Sequence, residues 1–354
     1  MIDWKKSMKR TFEFYEVDSK TWKDKRKLSN ITECSIKWDL DAETLGSATI
    51  KSSESLGESY IRTYMIAIQN GLTYRIPLGT FLVQTTTSSF DGKSKTVPMD
   101  AYTPLLELKD NYPPLGYTVI KDQKILETGA RICDDHMRAP IIVSENDETL
   151  FADFTANTDE TWLAYLKALI ANAKYHLDIN EMGEILFAPD QETASLQPIY
   201  TYDDSNSSIL YPDVEDEHDL YGIPNVVEVV YSKDSTYKYA RAVNDNPDSI
   251  TSTVSRGREI LYRVTDPNIG DPTQEQLEQY AKQALREKSS VEHTITYSHG
   301  WTPVRVGNCV RLDYARAGMR NIKAKVISQS FNCDAGCKVS ETAVYTIVEM
   351  SKTH

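Results

Sequence analysis

The chain reads YMIAIQNGLTYRIPLG over residues 64–79, and this stretch indicates the kind of fold. Apolar side chains recur at every second position at Tyr64, Ile66 and Ile68, the pattern of a strand with one buried face. Asn70-Gly71 follows, and this pair supplies the positive φ angles that a tight hairpin requires. The stretch therefore predicts two antiparallel strands joined by a short turn.

Similar signals extend from Thr11 to about Val97. A further alternation is formed by Cys34, Ile36, Trp38 and Leu40. Further turn signals lie at Pro77 to Gly79 and at Asp91-Gly92. We expect an antiparallel β domain of about six strands, folded as a small barrel.

After Asp100 the pattern becomes helical. The predicted helices are Pro104 to Lys109, Ile120 to Met137, and Asp159 to Ala173 with Thr158 as its cap. Tyr175 to Ile179 and Glu184 to Phe187 then flank a turn, which predicts a β-hairpin. This region is expected to form a small α+β domain.

Strands return from Asn225 onward, interrupted by one helix at about 273–288. Asp271-Pro272-Thr273 supplies a cap and a proline suited to the first helical turn. Later strands are predicted at Glu292–Tyr297, Cys309–Asp313, Ala324–Ser330 and Thr342–Val348. The predicted fold class is α+β and β-rich, with two barrel-like antiparallel β domains at 1–112 and 223–354 and a small α+β domain inserted at 113–222.

The charge is unevenly distributed. The 354 residues have a net charge of −13, yet residues 139–232 contain 19 acidic residues and only two basic ones, Lys167 and Lys174. The rest of the chain therefore has a small positive charge, and the overall acidity argues against general nucleic-acid binding. The densest acidic run, Asp213 to Asp219, lacks the alternating ligands and central glycine of a calcium loop, so we expect a solvated loop.

The five cysteines are expected to be reduced structural thiols. They are Cys34, Cys133, Cys309, Cys333 and Cys337. The alternative is a disulfide or metal site at the close pair Cys333 and Cys337, for which His299 and His354 are the nearby histidines. The sequence does not decide whether this pair is bonded.

Residues Met1 to Arg10 carry four basic groups, but no apolar run follows them. No segment approaches the roughly 18 apolar residues of a membrane helix. We therefore expect a protein made in the cytosol, with neither a signal peptide nor a membrane-spanning segment.

No catalytic, cofactor-binding or metal-binding residue is predicted, because phosphate-binding glycine loops, nucleophile elbows and zinc motifs are absent from the sequence. Two weaker alternatives remain. Cys133 and His136 have the residue types of a nucleophile and its base, and Glu145 and Glu148 those of a glycosidase pair. The 21 tyrosines, against 8 phenylalanines, indicate either an interface or sugar-binding surface or half-buried strands.

Five segments, in their order and spacing, resemble phage tail and baseplate hub proteins. Ile76-Pro-Leu-Gly-Thr-Phe-Leu-Val83, followed by Val97-Pro-Met-Asp-Ala-Tyr-Thr-Pro-Leu-Leu106, is similar to the first β domain of that family. Pro224-Asn-Val-Val-Glu-Val-Val230, the helix at 273–288, and Trp301-Thr-Pro-Val-Arg-Val-Gly-Asn-Cys-Val-Arg-Leu312 are similar to the second, with Asn308 where aspartate is usual. The resemblance covers most of the chain.

The resemblance implies a homotrimeric structural hub, related to the base of type VI secretion spikes, located in the virion. Each chain would contribute two barrel-like tube domains to a pseudo-sixfold ring, and the acidic domain would lie outside it. The implied partners are the tail tube or distal tail protein above, the spike or tip protein below, the tape measure protein in the lumen and baseplate proteins outside. Some relatives continue into a peptidoglycan-degrading domain, for which we expect no room before His354. The alternatives are a tail-associated cell-wall hydrolase and a host carbohydrate-binding module.

Overall fold

The computed structural model describes residues 2–93, 95–233, 236–265, 267, 269–270 and 272–347. Asp271, Val348 and His354, which enter the sequence predictions, lie outside these residues. Most of the described chain is β-structure. The β-rich part of the predicted fold class is therefore confirmed.

The strands are β1 Lys9–Val17, β2 Asp24–Leu28, β3 Ile31–Asp39, β4 Gly46–Ser52, β5 Tyr60–Gln69, β6 Leu72–Thr86, β7 Ser89–Phe90, β8 Lys95–Tyr102, β9 Thr118–Val119, β10 Ile141–Ile142, β11 Phe154–Thr155, β12 Tyr175–Ile179, β13 Ile185–Pro189, β14 Pro198–Asp203, β15 Leu210–His218, β16 Val226–Lys233, β17 Thr236–Val243, β18 Leu261–Val264, β19 Val291–Gly300, β20 Cys309–Asp313, β21 Ile322–Asn332 and β22 Lys338–Ile347. The helices are α1 Leu106–Lys109, α2 Ile125–His136, α3 Trp162–Ala171, α4 Thr253–Arg256 and α5 Gln274–Lys288. A single 3-10 turn spans Ala315–Ala317.

The chain divides into two compact units. Unit 1 contains the chain up to Val214 together with Tyr297–Thr342. Unit 2 contains Glu215–Thr296 and the chain from Ala343.

The largest sheet has the strand order β15-β19-β22-β21-β3-β4-β8-β6-β5-β1-β2, with β20 attached to β21 and β14 to β20. Most neighbouring strands are antiparallel, whereas β14 and β20 are parallel. Strands β15 and β2 end this order. No sheet of the described residues closes into a barrel, so the barrel-like part of the prediction is not confirmed.

The hairpin predicted from residues 64–79 is confirmed. β5 and β6 pair antiparallel, with Gln69 opposite Leu72 at the turn. Asn70 and Gly71 have φ angles of 51° and 77°, the left-handed values that this turn needs.

The predicted buried face of β5 is wrong in part. Ile61 and Met65 are fully buried, whereas Ile66 is half-buried and Ile68 is 36% exposed, so the core lies on the face opposite the predicted one. Apolar residues occupy both faces of this strand, so alternation alone does not identify the buried one.

Helices α2 and α3 pack with the β12–β13 hairpin in unit 1, and the hairpin prediction is confirmed. Leu166 and Ile170 of α3 are fully buried and lie close to Gly129 of α2. A Cβ at Gly129 would lie 3.1 Å from Leu166 Cδ1, so the absence of a side chain lets the two helices approach.

Three predictions in this region are wrong in detail. α3 begins at Trp162, because the Thr161 hydroxyl, and not that of Thr158, accepts a hydrogen bond from the Ala164 amide at 3.2 Å. Asp159 therefore precedes the helix. α2 begins at Ile125 and not at Ile120, since the backbone before it is extended and bonds to Leu150.

The acidic run from Asp213 is also not the loop that the sequence predicted. Most of it belongs to strand β15, which pairs with β19. Backbone pairing with a neighbouring strand outweighs the low strand propensity of aspartate and glutamate, whose side chains remain in solvent.

In unit 2, β16, β17 and β18 form a three-stranded sheet covered on one face by α5. Val227 and Val229 of β16 pack in one buried cluster with Leu277, Ala281 and Leu285 of α5. The predicted helix at 273–288 is confirmed, and Thr273 and Gln276 form a capping box at its start.

Candidate functional site

Cys133 and His136 do not form an activated nucleophile. Cys133 is fully buried, and burial raises the pKa of its thiol to about 12, so thiolate is scarce at neutral pH. The His136 ring stacks on the indole of Trp162, with the ring centres 4.4 Å apart. Both side chains therefore contribute to packing around α2 and α3.

Glu145 and Glu148 also lack the surroundings of a catalytic pair. Both lie in the exposed segment after β10. A glycosidase acid requires an enclosed apolar environment to stay protonated, and neither side chain has one. The geometry gives no support to the hydrolase alternative.

All five cysteines are free thiols, and Cys333 and Cys337 are not bonded. The Cys333 amide donates to the Cys34 carbonyl at 2.8 Å, so the thiols of β3 and of the turn after β21 belong to one packed region of unit 1. Within the described ranges, no group of three or more histidine, cysteine, aspartate or glutamate side chains is arranged to hold a metal ion.

The tyrosines differ widely in exposure. Tyr60, Tyr165 and Tyr297 are almost completely buried in strands or helices. Tyr221 and Tyr237 are 93% and 77% exposed. The surplus is thus divided between core packing and surface.

A buried polar cluster in unit 1 was missed by the sequence analysis. The fully buried Glu341 carboxylate accepts hydrogen bonds from the Tyr297 hydroxyl and, at 2.5 Å, from Gln329 Nε2. His299, also fully buried, lies with Nε2 3.2 Å from Glu341 Oε2 and 3.1 Å from the Tyr202 hydroxyl. Because every member has a partner, the cluster is positioned to stabilise a unique packing of these strands.

The contacts of the cluster show where two of its protons lie. His299 Nδ1 lies 2.8 Å from the Gly300 carbonyl oxygen, which can only accept, so Nδ1 carries a proton. Burial and the nearby Glu341 carboxylate raise the pKa of Tyr297 well above its ordinary value, so its phenol stays protonated and donates. In the sequence, Glu341 is the residue that indicates a buried polar cluster, because it occupies an inward strand position between Val339 and Ala343, both of which are buried.

A second buried cluster holds the β12–β13 turn against the large sheet. Arg62, 1% exposed, donates to Thr80 Oγ1 at 2.9 Å, to Asp24 Oδ1 at 3.1 Å and to the Met182 carbonyl at 2.8 Å. Trp22 Nε1 donates to the same Met182 carbonyl at 2.8 Å. The guanidinium thus connects β5, β6 and β2 to the turn before β13.

Unit 1 also contains an apolar cavity of about 210 Å³. Its lining includes Trp38, Ile76, Trp301 and Phe331. Arg305 also lines it and forms an ion pair with Glu181 at 2.6 Å. The charged groups at the cavity are paired, which leaves mainly apolar surface inside.

No helix in the described part of the chain is both long enough and apolar enough to cross a membrane.

Comparison with known proteins finds similarity in structure only. No protein-family model and no curated protein sequence matches the chain. The fold is similar to that of the tail protein from Neisseria meningitidis MC58, with a TM-score of 0.61 and 12% identity over 95% of this chain and 97% of that one. It is also similar to the 43 kDa tail protein of prophage MuSo2 from Shewanella oneidensis, with a TM-score of 0.60 and 12% identity over 94% and 97% of the two chains.

A third similar structure is the Francisella PdpA-VgrG complex, with a TM-score of 0.54 and 8% identity. The match covers 96% of this chain but 58% of that one. At identities this low, the similarity shows a shared fold. The chain therefore has the fold of phage tail proteins and of a VgrG-complex chain, and the resemblance to the tail hub family is confirmed at the level of the fold.

Proposed function

We propose that this chain is a structural protein of a phage tail, and that three copies form the hub ring between the tail tube and the spike or tail tip. The observation that carries the proposal is the extent of the structural match. Two tail proteins share the fold over almost the whole of both chains, so the likeness is not confined to one common sheet motif.

The proposed ring has pseudo-sixfold symmetry, since each of three chains would contribute two similar lobes to match a hexameric tube. In this arrangement residues 1–112 and 223–354 are the two tube domains, and residues 113–222 form the additional domain. A closed ring requires a cyclic arrangement in which each copy uses two different surfaces.

The partners follow from this position. The tail tube or distal tail protein would bind above and the spike or tip protein below, with the tape measure protein in the lumen. Most of the 19 acidic residues of region 139–232 suit the outside of the ring, where baseplate proteins would bind; β15 carries four of them. The protein would thus be located in the virion.

The proposal assigns no enzymatic activity to the chain. The structural neighbours are tail proteins, and the candidate nucleophile Cys133 is enclosed in the core. The proposal does not include carbohydrate binding. Tyr221 and Tyr237 are exposed, but all five tryptophans are buried or partly buried and none offers an open aromatic platform.

Labelling of assembled tails tests the proposed position. Tails would be assembled with a chain carrying an epitope tag and labelled with gold-conjugated antibody. The expected result is label at one end of the tail, at the junction of tube and spike. A tag on the tube protein is the control and should label the whole tube. Label along the tube, or no label on tails, would refute the proposal.

A further inference from the structure

The two strands that end the largest sheet carry opposite charges. Residues 20–28, which include β2, contain five basic residues and one acidic residue. Strand β15 contains four acidic residues and no lysine or arginine. We call Lys25, Arg26 and Lys27 the basic edge, and Asp213, Glu215 and Glu217 the acidic edge.

The basic edge is exposed and open on one side. The side chains of Lys25, Arg26 and Lys27 are 58%, 64% and 53% exposed. They form ion pairs with Glu13 and Glu16 of β1, and these two carboxylates do not balance the charge of residues 20–28. Among the described strands β2 pairs only with β1, so its other side presents unpaired backbone groups.

The acidic edge is also exposed to solvent. Asp213, Glu215 and Glu217 are exposed and form no ion pair with any described residue. Asp216, by contrast, lies 3.0 Å from His293 Nδ1 and accepts from the Tyr345 hydroxyl at 3.1 Å. Among the described strands β15 pairs only with β19.

A polar atom beside this strand also lacks a partner. His293 is 6% exposed, and its Nε2 has no hydrogen-bond partner in the described structure. Its Nδ1 is the nitrogen that faces Asp216 and Tyr345. This nitrogen is enclosed by the protein, so a neighbouring molecule does not reach it and the contact proposed below does not depend on it.

We propose that the basic edge of one copy binds the acidic edge of the next copy, so that β2 and β15 pair across the subunit interface. The inference rests on the proposed trimer and names its contact surface. A cyclic trimer joins two different surfaces of the same chain, and these edges are different and complementary in charge. Like edges repel, which disfavours β2 with β2 and β15 with β15.

The lengths of the two strands fit this pairing. Pro212 has no amide hydrogen and is suited to an edge strand, but it interrupts a backbone ladder at that position. Residues 213–217 follow it and equal the five residues of β2 in number. The interface would thus combine backbone pairing with exposed ion pairs, and we expect it to weaken in high salt.

Charge reversal tests the pairing in the full-length chain. The basic-edge variant carries Lys25→Glu, Arg26→Glu and Lys27→Glu, and the acidic-edge variant carries Asp213→Lys, Glu215→Lys and Glu217→Lys. Sedimentation velocity over a range of concentrations should show trimers for the unaltered chain. Each variant should require a roughly tenfold or more higher concentration to form trimers, because the exposed ion pairs between the two edges are lost at each interface.

The chain that carries both reversals should form trimers again, because its edges are complementary with the signs exchanged. A control variant with Lys282→Glu, Arg286→Glu and Lys288→Glu on α5 has the same change in net charge as the basic-edge variant and should remain trimeric.

Reversal at β2 places glutamates beside Glu13 and Glu16, which repel them. A variant with glutamine at Lys25, Arg26 and Lys27 tests the same contact without that repulsion. Thermal unfolding would verify that each variant is folded.

The outcomes separate this inference from the proposed function. Two results would overturn the edge pairing and leave the hub proposal standing. In the first, the folded edge variants form trimers as stable as those of the unaltered chain. In the second, the double reversal does not restore trimers. A purified chain that stays monomeric, although assembled tails contain a threefold ring, would also overturn the edge pairing alone. The reason is that the pairing predicts association without other components. The absence of any ring would overturn both.

Discussion

Replacing Arg62 with methionine removes the group that connects the large sheet of unit 1 to the β12–β13 turn. Arg62 donates four hydrogen bonds, including one to the Trp22 carbonyl at 3.3 Å. At about 1 kcal/mol net for each bond, the four bonds together contribute about 4 kcal/mol. Met182 keeps the Trp22 indole as a donor and Asp24 keeps Arg75, so we expect a loss of about 2 to 4 kcal/mol.

Arg75→Met is the matched control for this substitution. Arg75 binds the same Asp24 carboxylate at 2.9 Å, but its side chain is 42% exposed. It also stacks over the Tyr64 ring, with 3.5 Å between the guanidinium carbon and the ring centre. An exposed ion pair and an exposed cation–π contact together predict a loss of about 1 kcal/mol.

Urea denaturation followed by tryptophan fluorescence measures both losses. All five tryptophans lie in unit 1, so the signal reports the unfolding of the unit that contains Arg62. The slope of the transition should not change, and the free energy of unfolding should fall further for Arg62→Met than for Arg75→Met. Equal losses would refute the reasoning, because burial of the guanidinium would then contribute nothing.

Three further predictions concern the core. Gly79→Ala should cost about 1 to 3 kcal/mol, because its Cβ would overlap the fully buried Phe81 ring. Gly300→Ala, whose Cβ would lie 3.6 Å from that of Ile209 in ordinary contact, should change stability by less than about 0.5 kcal/mol in the same urea assay. Burial raises the pKa of Tyr165 from 10.0 to about 12, so the neutral phenol stabilises the folded chain below pH 10 and this contribution is lost as the pH rises through 12. The urea midpoint should therefore fall above pH 10, and Tyr165→Phe should reduce that fall; an unchanged midpoint would contradict it. Titration with Ellman's reagent in the absence of reductant should find five thiols in the denatured chain, whereas one disulfide would leave three reactive thiols. In the native chain the buried Cys133 should react slowly.

The features that the sequence predicts well are those determined by neighbouring residues. The Asn70-Gly71 turn is found because both residues can adopt positive φ angles, and α5 begins at the capping box of Thr273. The cap of α3 was assigned to Thr158 and lies at Thr161, since both threonines precede the apolar stripe and only the hydrogen bond distinguishes them.

The features that the sequence does not predict depend on pairing between distant segments. Glu341 and His299 are 42 positions apart, and only the sheet brings their side chains to 3.2 Å. Arg62 and Met182 are likewise separated by 120 positions. The strand at Asp213 forms because β19 supplies its backbone partners, which local charge does not reveal. Partners of this kind are found only in three dimensions.

The measurement that tests the central claim most directly is electron microscopy of the purified chain and of assembled tails that contain it. The account predicts a threefold-symmetric ring with six similar lobes, located where the tube meets the spike or tip. Monomers alone in the purified sample, together with tails in which no threefold ring contains this chain, would contradict it.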